Sequence, residues 1–387
     1  MKLPIIVPEG TRFTCQGCAR CCQGWTVPVD QATVDRLRRH DWGGEPFEPL
    51  KGDAHPFRIK LIDGRCFFLD AQNRCRIHNE VSYEAKPPVC RAFPLSVLEL
   101  EGRQYARLSY WCPSVVANAG RPLDQQARWL KDTTAMADRR TAPLTIDGTR
   151  ELTVRQFELV HRALRGFVAQ PGSPMRVRLA ASATLIARLE AGTSDIESIV
   201  RAAEQEGVAA LAAQSAPGHA SAGRRVLTLY LLYDRENSRW SVVPRLAAIV
   251  MFNLGVRPLY SRTINARAGW RALRRVEFAS SPEVIELLGR YFLSKIDSRR
   301  YVAGDVSLVK GLNQLLAAYA MVEVLARTRA AAAGRRTCEA DDVRDAVGAA
   351  DLLVMEHPGL DQKGLHRRIT DAALGSVEMG AHLLAAL

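Results

Sequence analysis

Between Pro113 and Thr337 the chain has no cysteine, although it holds nine in all. A disulfide framework is therefore excluded for most of its length. Long apolar runs are also lacking. The two most apolar stretches, residues 226–233 and 246–254, fall short of the roughly 18 residues a membrane span needs, and Asp234, Arg235, Glu236 and Arg239 separate them. No membrane association is expected. The first ten residues have no long apolar segment and no small-residue cleavage site, so no signal peptide is expected. The expected location is the cytoplasm, where thiols stay reduced and clustered cysteines serve metal or redox chemistry. Several catalytic signatures are missing as well: a G-x-G-x-x-G after a strand, a P-loop, HExxH and G-x-S-x-G. The C-x3-C-x2-C spacing of radical S-adenosylmethionine enzymes is absent too, because Trp25 stands where a third thiol would follow Cys18 and Cys22.

The 387 residues suffice for two to three domains. With 47% hydrophobic and 24% charged residues the chain can bury a full core. The net charge of +12 is uneven, about +3 over residues 1–120 and +9 over the rest. Such an excess suits an acidic partner. No tight basic run with interleaved aromatics occurs, so nucleic acid is not an expected partner.

The pattern divides the chain at about residue 120 and predicts a mainly α protein. Residues 1–120 read as a small, irregular, cysteine-rich module with short β-hairpins, and residues 121–387 as an α-helical bundle. In the first part Asp30 caps a helix to His40, and turns fall at Asp63-Gly64, 71–74 and Glu101-Gly102. In the second, Phe157, Val160, Leu164, Phe167 and Val168 repeat with helical period. Ser173-Pro174 opens a helix that Gly192 closes, and Ser194-Asp195 opens another with Glu197 set for a capping box. Residues 214–223 read as loop. Further helices are expected near 224–233, 242–254, 282–295, 305–333, 339–356 and 365–387.

Eight thiols gather in the first part: Cys15, Cys18, Cys21, Cys22, Cys66, Cys75, Cys90 and Cys112. Cys15-x2-Cys18-x2-Cys21 is similar to the run that presents thiolates to a [4Fe–4S] cluster, and Cys112-Pro113 has the Cys-Pro pairing of that run. Adjacent Cys21 and Cys22 project differently, so Cys22 is free for a second site or for redox work. Eight thiols also suffice for two tetrahedral zinc sites, and His78 after Cys75 is a possible substitute ligand. The double cysteine, and the lack of paired C-x2-C motifs, stand against an ordinary zinc ribbon. Iron–sulfur and zinc both remain open. All eight thiols are candidate metal ligands, with Tyr110, Trp111 and Trp25 as candidate shields against water. Cys338, at a helix start, is expected to have a lowered pKa.

Residues 13–25, together with Cys66-Phe-Phe-Leu-Asp, Cys75-Arg-Ile-His and Cys90-Arg-Ala-Phe-Pro, resemble the YkgJ-type cysteine-cluster family, described as zinc- or iron-chelating. Trp25 with Val27-Pro-Val-Asp30, the block Leu108-Ser-Tyr-Trp-Cys112-Pro113 and the long helical part resemble its long form, flagellin lysine-N-methylase. The cysteine resemblance spans residues 13–116; the later part rests on length and helicity. It implies a cluster-dependent methyl transfer from S-adenosylmethionine to lysines of flagellin or another protein. It does not identify the S-adenosylmethionine or substrate residues. The form of the Cys90 block is nearer the general family than the methylase. A non-enzymatic zinc- or iron-chelating role is the alternative.

Overall fold

A computed structural model of the chain describes residues 4–23, 26–51, 55–192, 195–233, 250–252, 254, 256, 258–304, 306–356 and 372–386. Helix dominates, with short strands in small sheets. Packing divides the chain into a cysteine unit, residues 10–96 and 111–136, and a helical unit, residues 1–9, 97–110 and 137–387. The line is therefore not a single cut near residue 120. Residues 97–110 leave the cysteine unit and residues 111–136 return to it.

In the cysteine unit, Asp30 Oδ1 accepts from the Thr33 amide at 2.7 Å and starts α1, Gln31–Leu37. The helix stops three residues before His40. Its buried side, Thr33, Val34 and Leu37, meets Trp42, Phe47, Ile59 and Phe68 in one small core. Trp42 donates its indole N–H to the Leu37 carbonyl at 2.6 Å, tying the chain after α1 back onto it. Strand Phe57–Ile59 pairs antiparallel with Pro28–Val29 on one side and Phe47–Pro49 on the other. Strands Leu61–Ile62 and Arg65–Cys66 form the hairpin expected at Asp63-Gly64, whose φ values of 50° and 77° suit a two-residue turn. Three short helices follow: α2, Pro88–Ala92; α3, Pro113–Val116; and α4, Ala127–Thr133.

In the helical unit a four-stranded sheet runs in the order Ile5–Ile6, Arg103–Leu108, Leu95–Leu100, Asp138–Arg139. The expected turn at Glu101-Gly102 joins its central strands. Helix α5, Val154–Ala169, opens with a Thr153–Gln156 capping box and buries the predicted face, Phe157, Val160, Leu164, Phe167 and Val168. Helix α6, Met175–Ala191, lies between Pro174 and Gly192 as its sequence predicts. Helix α7, Ile196–Ala213, is interrupted at Gly207. Its cap differs from the expected box: Asp195 accepts from the Glu197 and Ser198 amides, while Glu197 pairs with Arg155 and Arg201. Helix α8, Ala220–Tyr233, begins inside the stretch read as loop. Next come a hairpin of Leu259–Ser261 with Ala266–Ala268, which the sequence reading missed, and α9, Trp270–Leu273. The helix expected at 242–254 lies largely outside the described residues.

Helix α10, Pro282–Asp297, is capped by Ser281. Helix α11, Leu308–Ala332, is capped by Ser307 and packs on α6, on α8, on α12 (Ala340–Ala350) and on α13 (Glu378–Leu384). By length and composition α11 could cross a membrane, which the search for apolar runs missed because Lys310, Glu323, Arg327 and Arg329 interrupt it. Here 94% of its most apolar window is buried, so it is the core helix of this unit. Gly311 allows its closest approach: a Cβ there would lie 1.6 Å from the Tyr301 carbonyl oxygen. After α12, residues Asp351–Glu356 continue as a π-helical turn.

Candidate metal centre

All eight predicted thiols belong to the cysteine unit, and the local folding of four segments explains their placing. Strand Arg12–Phe13 pairs with Arg121–Pro122, and the Thr14 amide donates to the Ala119 carbonyl at 2.9 Å. Gly120 is required there, because a Cβ would lie 2.3 Å from the Thr14 hydroxyl. The Cys15 loop is thereby fastened to the segment after α3, and Cys112 is the residue that caps α3. The Gly17 amide points at Cys15 Sγ at 3.5 Å. Left-handed Gly17 and Ala19 then turn the chain into a 3-10 turn, Arg20–Cys22. Gln23 bridges antiparallel to Arg65, bringing this turn alongside the strand that carries Cys66. Leu69 bridges to Cys75, and α2 carries Cys90. Cys66, Cys75 and Cys90 all pack against the small core built on Phe68 and Ile77.

Electrostatics show which thiols share surroundings. Cys21 Sγ and Cys22 Sγ are 3.8 Å apart. That contact, then burial, pushes the Cys21 thiol far above the ordinary range. Burial pushes Cys90 up to about 12, with Cys66, Cys75 and Cys21 adding to the rise and Lys86 opposing it. Cys66 is pushed to about 11 by burial, with Cys75 and Cys21 contributing. Cys112 also rises to about 11, again mainly by burial, with Cys18 and Cys21 adding and the Val115 and Ser114 amides opposing. Cys21 is thus common to two neighbourhoods, one with Cys66, Cys75 and Cys90, the other with Cys18 and Cys112. Cys15 and Cys18 are exposed and the other six are half-buried. None of the nine cysteines is in a disulfide. Among the described residues no three Cys, His, Asp or Glu side chains already stand as a ligand set.

The donor chemistry nonetheless fits a soft metal. The groups that share surroundings are thiols, six of the eight are half-buried, and the Lys86 ammonium offsets the negative charge that several thiolates would bring. Elsewhere expectation and structure differ. His78 is exposed and packs edge-on against Tyr83, with ring centroids 5.6 Å apart. The Cys338 thiol is pushed up to about 11, not down, by burial, with the Asp342 carboxylate adding to the rise. Trp111 lies under the Arg20 guanidinium at 4.0 Å within the cysteine unit. Tyr110 belongs to the helical unit, where it packs on Tyr291 at 4.9 Å. Trp25 lies outside the described residues.

One polar cluster escaped the sequence reading. Lys295 Nζ lies 2.6 Å from Asp351 Oδ1 and 3.3 Å from Glu356 Oε1, and donates to the Leu108 carbonyl at 3.2 Å. Asp351 also accepts from the Tyr110 amide at 2.6 Å and the Tyr291 hydroxyl at 3.1 Å. Burial raises Asp351 to about 6 despite Lys295. Glu356 feels burial too, but Lys295, Arg300 and Arg107 outweigh it and hold its carboxyl below the usual range. The Glu356 carboxylate faces Lys295.

Residues 14–113 match the model of the CxxCxxCC family, described as "Putative zinc- or iron-chelating domain". The cysteine segment matches a metal-chelating family. An uncharacterized protein of Methanocaldococcus jannaschii is 32% identical over 110 residues, covering 28% of this chain and 38% of that protein. The lysine-N-methylase of Salmonella typhimurium is 29% identical over 119 residues, covering 28% of this chain and 30% of the methylase. The flagellar biosynthetic protein FliU of Salmonella muenchen is 29% identical over 119 residues, covering 28% of this chain and 70% of FliU. The chain thus spans 38% and 30% of the length of the first two relatives. No solved structure matches.

Proposed function

We propose that the cysteine unit binds a thiolate-ligated metal centre, an iron–sulfur cluster or zinc, and that the whole chain is a protein lysine N-methyltransferase using S-adenosylmethionine. The observation that carries the first half is the shared environment of Cys21, Cys66, Cys75 and Cys90 beside Lys86. Cys18 and Cys112 would complete the set through Cys21, with Cys15 and Cys22 as the remaining candidate ligands. Held by these thiolates, a cluster would help to bind and orient S-adenosylmethionine. The protein's own task is then to strip water from a lysine ammonium, because desolvation lowers its pKa and yields the nucleophilic amine. Support for this half is the named function of the Salmonella relatives, which also makes a flagellar protein the first substrate to try. Reduced thiols at this centre suit a cytoplasmic location.

One observation favours a second reading, a non-enzymatic metal-chelating protein. Cys112 stands with Cys18 and Cys21, so a further thiolate is at hand to close the coordination of a centre there. The relatives, moreover, match only 28% of this chain. The two readings separate in one experiment. Protein purified without oxygen is analysed for iron, sulfide and zinc and by its visible spectrum, then incubated with labelled S-adenosylmethionine and flagellin. Bound metal with label on lysine supports the enzyme. Bound metal with neither S-adenosylmethionine binding nor label supports the chelator. Protein free of metal after reconstitution overturns both.

A further inference from the structure

A cavity of about 600 Å³ opens in the cysteine unit between α2 and α4, on the side of α2 away from the thiols' shared core. That volume suits one small molecule. Its aromatic walls are fixed. Trp129 stacks on Phe13 with ring centroids 5.0 Å apart and donates its indole N–H to the Arg91 carbonyl at 2.8 Å. The Tyr83 hydroxyl donates to the same carbonyl at 2.9 Å. Both rings have spent their donors on one backbone oxygen, so what they offer a guest is apolar surface. Pro88 and Met136 extend that surface.

Polar recognition then falls to the charged lining. Arg91, Arg121 and Arg128 face Glu84 and Asp132, an excess of one positive charge. Arg128 is spent at the exposed rim, 3.5 Å from Glu84. Arg91 and Arg121 line the cavity without an ion pair among the described residues. Two guanidiniums free of carboxylate partners beside apolar walls can hold an anion by charge-assisted hydrogen bonds. We propose that this cavity binds a planar aromatic ring bearing an anionic group, a carboxylate or a phosphate. The ring lies against Trp129 and Tyr83, and the anion meets Arg91 and Arg121. This site stands independently of the metal, although α2 lends one residue, Cys90, to the thiols and Pro88 and Arg91 to the cavity.

The test is calorimetric titration of the full-length protein with four probes: indole-3-acetate, phenyl phosphate, indole and tryptamine. One-to-one binding is expected, with at least one anion about tenfold tighter than neutral indole, the worth of one charge-assisted hydrogen bond. Which anion wins distinguishes carboxylate from phosphate chemistry. Arg91→Gln should abolish the preference while indole binding persists, with circular dichroism checking the fold. Should that variant not fold, Arg121→Gln reads the same preference. Tryptamine binding as tightly as the anions, no binding of any probe at millimolar concentration, or a preference surviving in both variants overturns the proposal.

Discussion

Lys295 Nζ and Asp351 Oδ1 lie 2.6 Å apart with both side chains shut off from solvent. Such a pair contributes little net stability compared with apolar residues of the same shape, yet breaking it is expensive, because the survivor stays charged and buried. Lys295→Met should therefore lower unfolding stability by about 3–5 kcal/mol in a urea titration. Lys295→Met combined with Asp351→Asn should recover part of that loss. Equal losses in the single and double variants would show that the orphaned carboxylate is not the cause.

Local signals carried much of the fold, and contacts between distant segments carried what was missed. Asp30, Ser281 and the Asp63-Gly64 turn announce themselves within four residues, because caps and tight turns satisfy backbone groups locally. The eight thiols were legible for the same reason, as a composition anomaly. By contrast, Lys295 meets Asp351 and Glu356 only through the packing of α10 against the turn after α12, and no spacing rule spans such a gap. Residues 97–110 read as part of the cysteine module because they lie between Cys90 and Cys112. Their buried side chains, Val97, Leu98, Leu100, Tyr105, Ala106 and Leu108, belong instead to the helical unit. Cys338 misled because its place at a helix start says nothing of its burial, which raises the thiol.

Gly311 sits in the first turn of α11 against the Tyr301 backbone. Alanine is the better helix former by up to about 1 kcal/mol. Here its methyl would meet a carbonyl that cannot swing aside as a side chain could. Gly311→Ala should destabilise by at least about 1–3 kcal/mol, the usual cost of overpacking, and thermal unfolding would show it. A stabilised variant would mean that α11 and the Tyr301 segment separate freely.

His161 is 7% exposed, and its Nδ1 lies 3.0 Å from the Tyr301 hydroxyl oxygen. Burial, with Arg299 and Arg165 adding to it, holds its pKa down at about 2. The folded protein therefore keeps this ring neutral where the unfolded chain, near 6.5, takes up a proton. The sign follows: stability is full above about pH 6.5 and falls as pH drops below it, by up to about 1.4 kcal/mol per pH unit. His161→Gln should flatten the stability profile of the protein between pH 6.5 and 4.5. A profile unchanged by the substitution would assign the acid sensitivity to other groups.

Cys21 is the thiol common to both neighbourhoods, whereas Cys15 is exposed and adds to the rise of none of Cys66, Cys90 and Cys112 among the causes named. Cys21→Ser should therefore remove more bound metal than Cys15→Ser, measured by metal analysis of anaerobically reconstituted protein. Because the cysteine unit has only a small apolar core, ligand bonds must offset much of the chain entropy. Cys21→Ser should accordingly expose residues 10–96 to protease while the helical unit stays resistant. The pH dependence has a definite sign too. Cys66 and Cys112 at about 11 and Cys90 at about 12 are protonated at neutrality without metal. Binding must expel those protons, so affinity for zinc should weaken about tenfold per proton for each unit that pH falls. A zinc affinity constant between pH 8 and pH 6 would mean that these buried thiols are not the ligands.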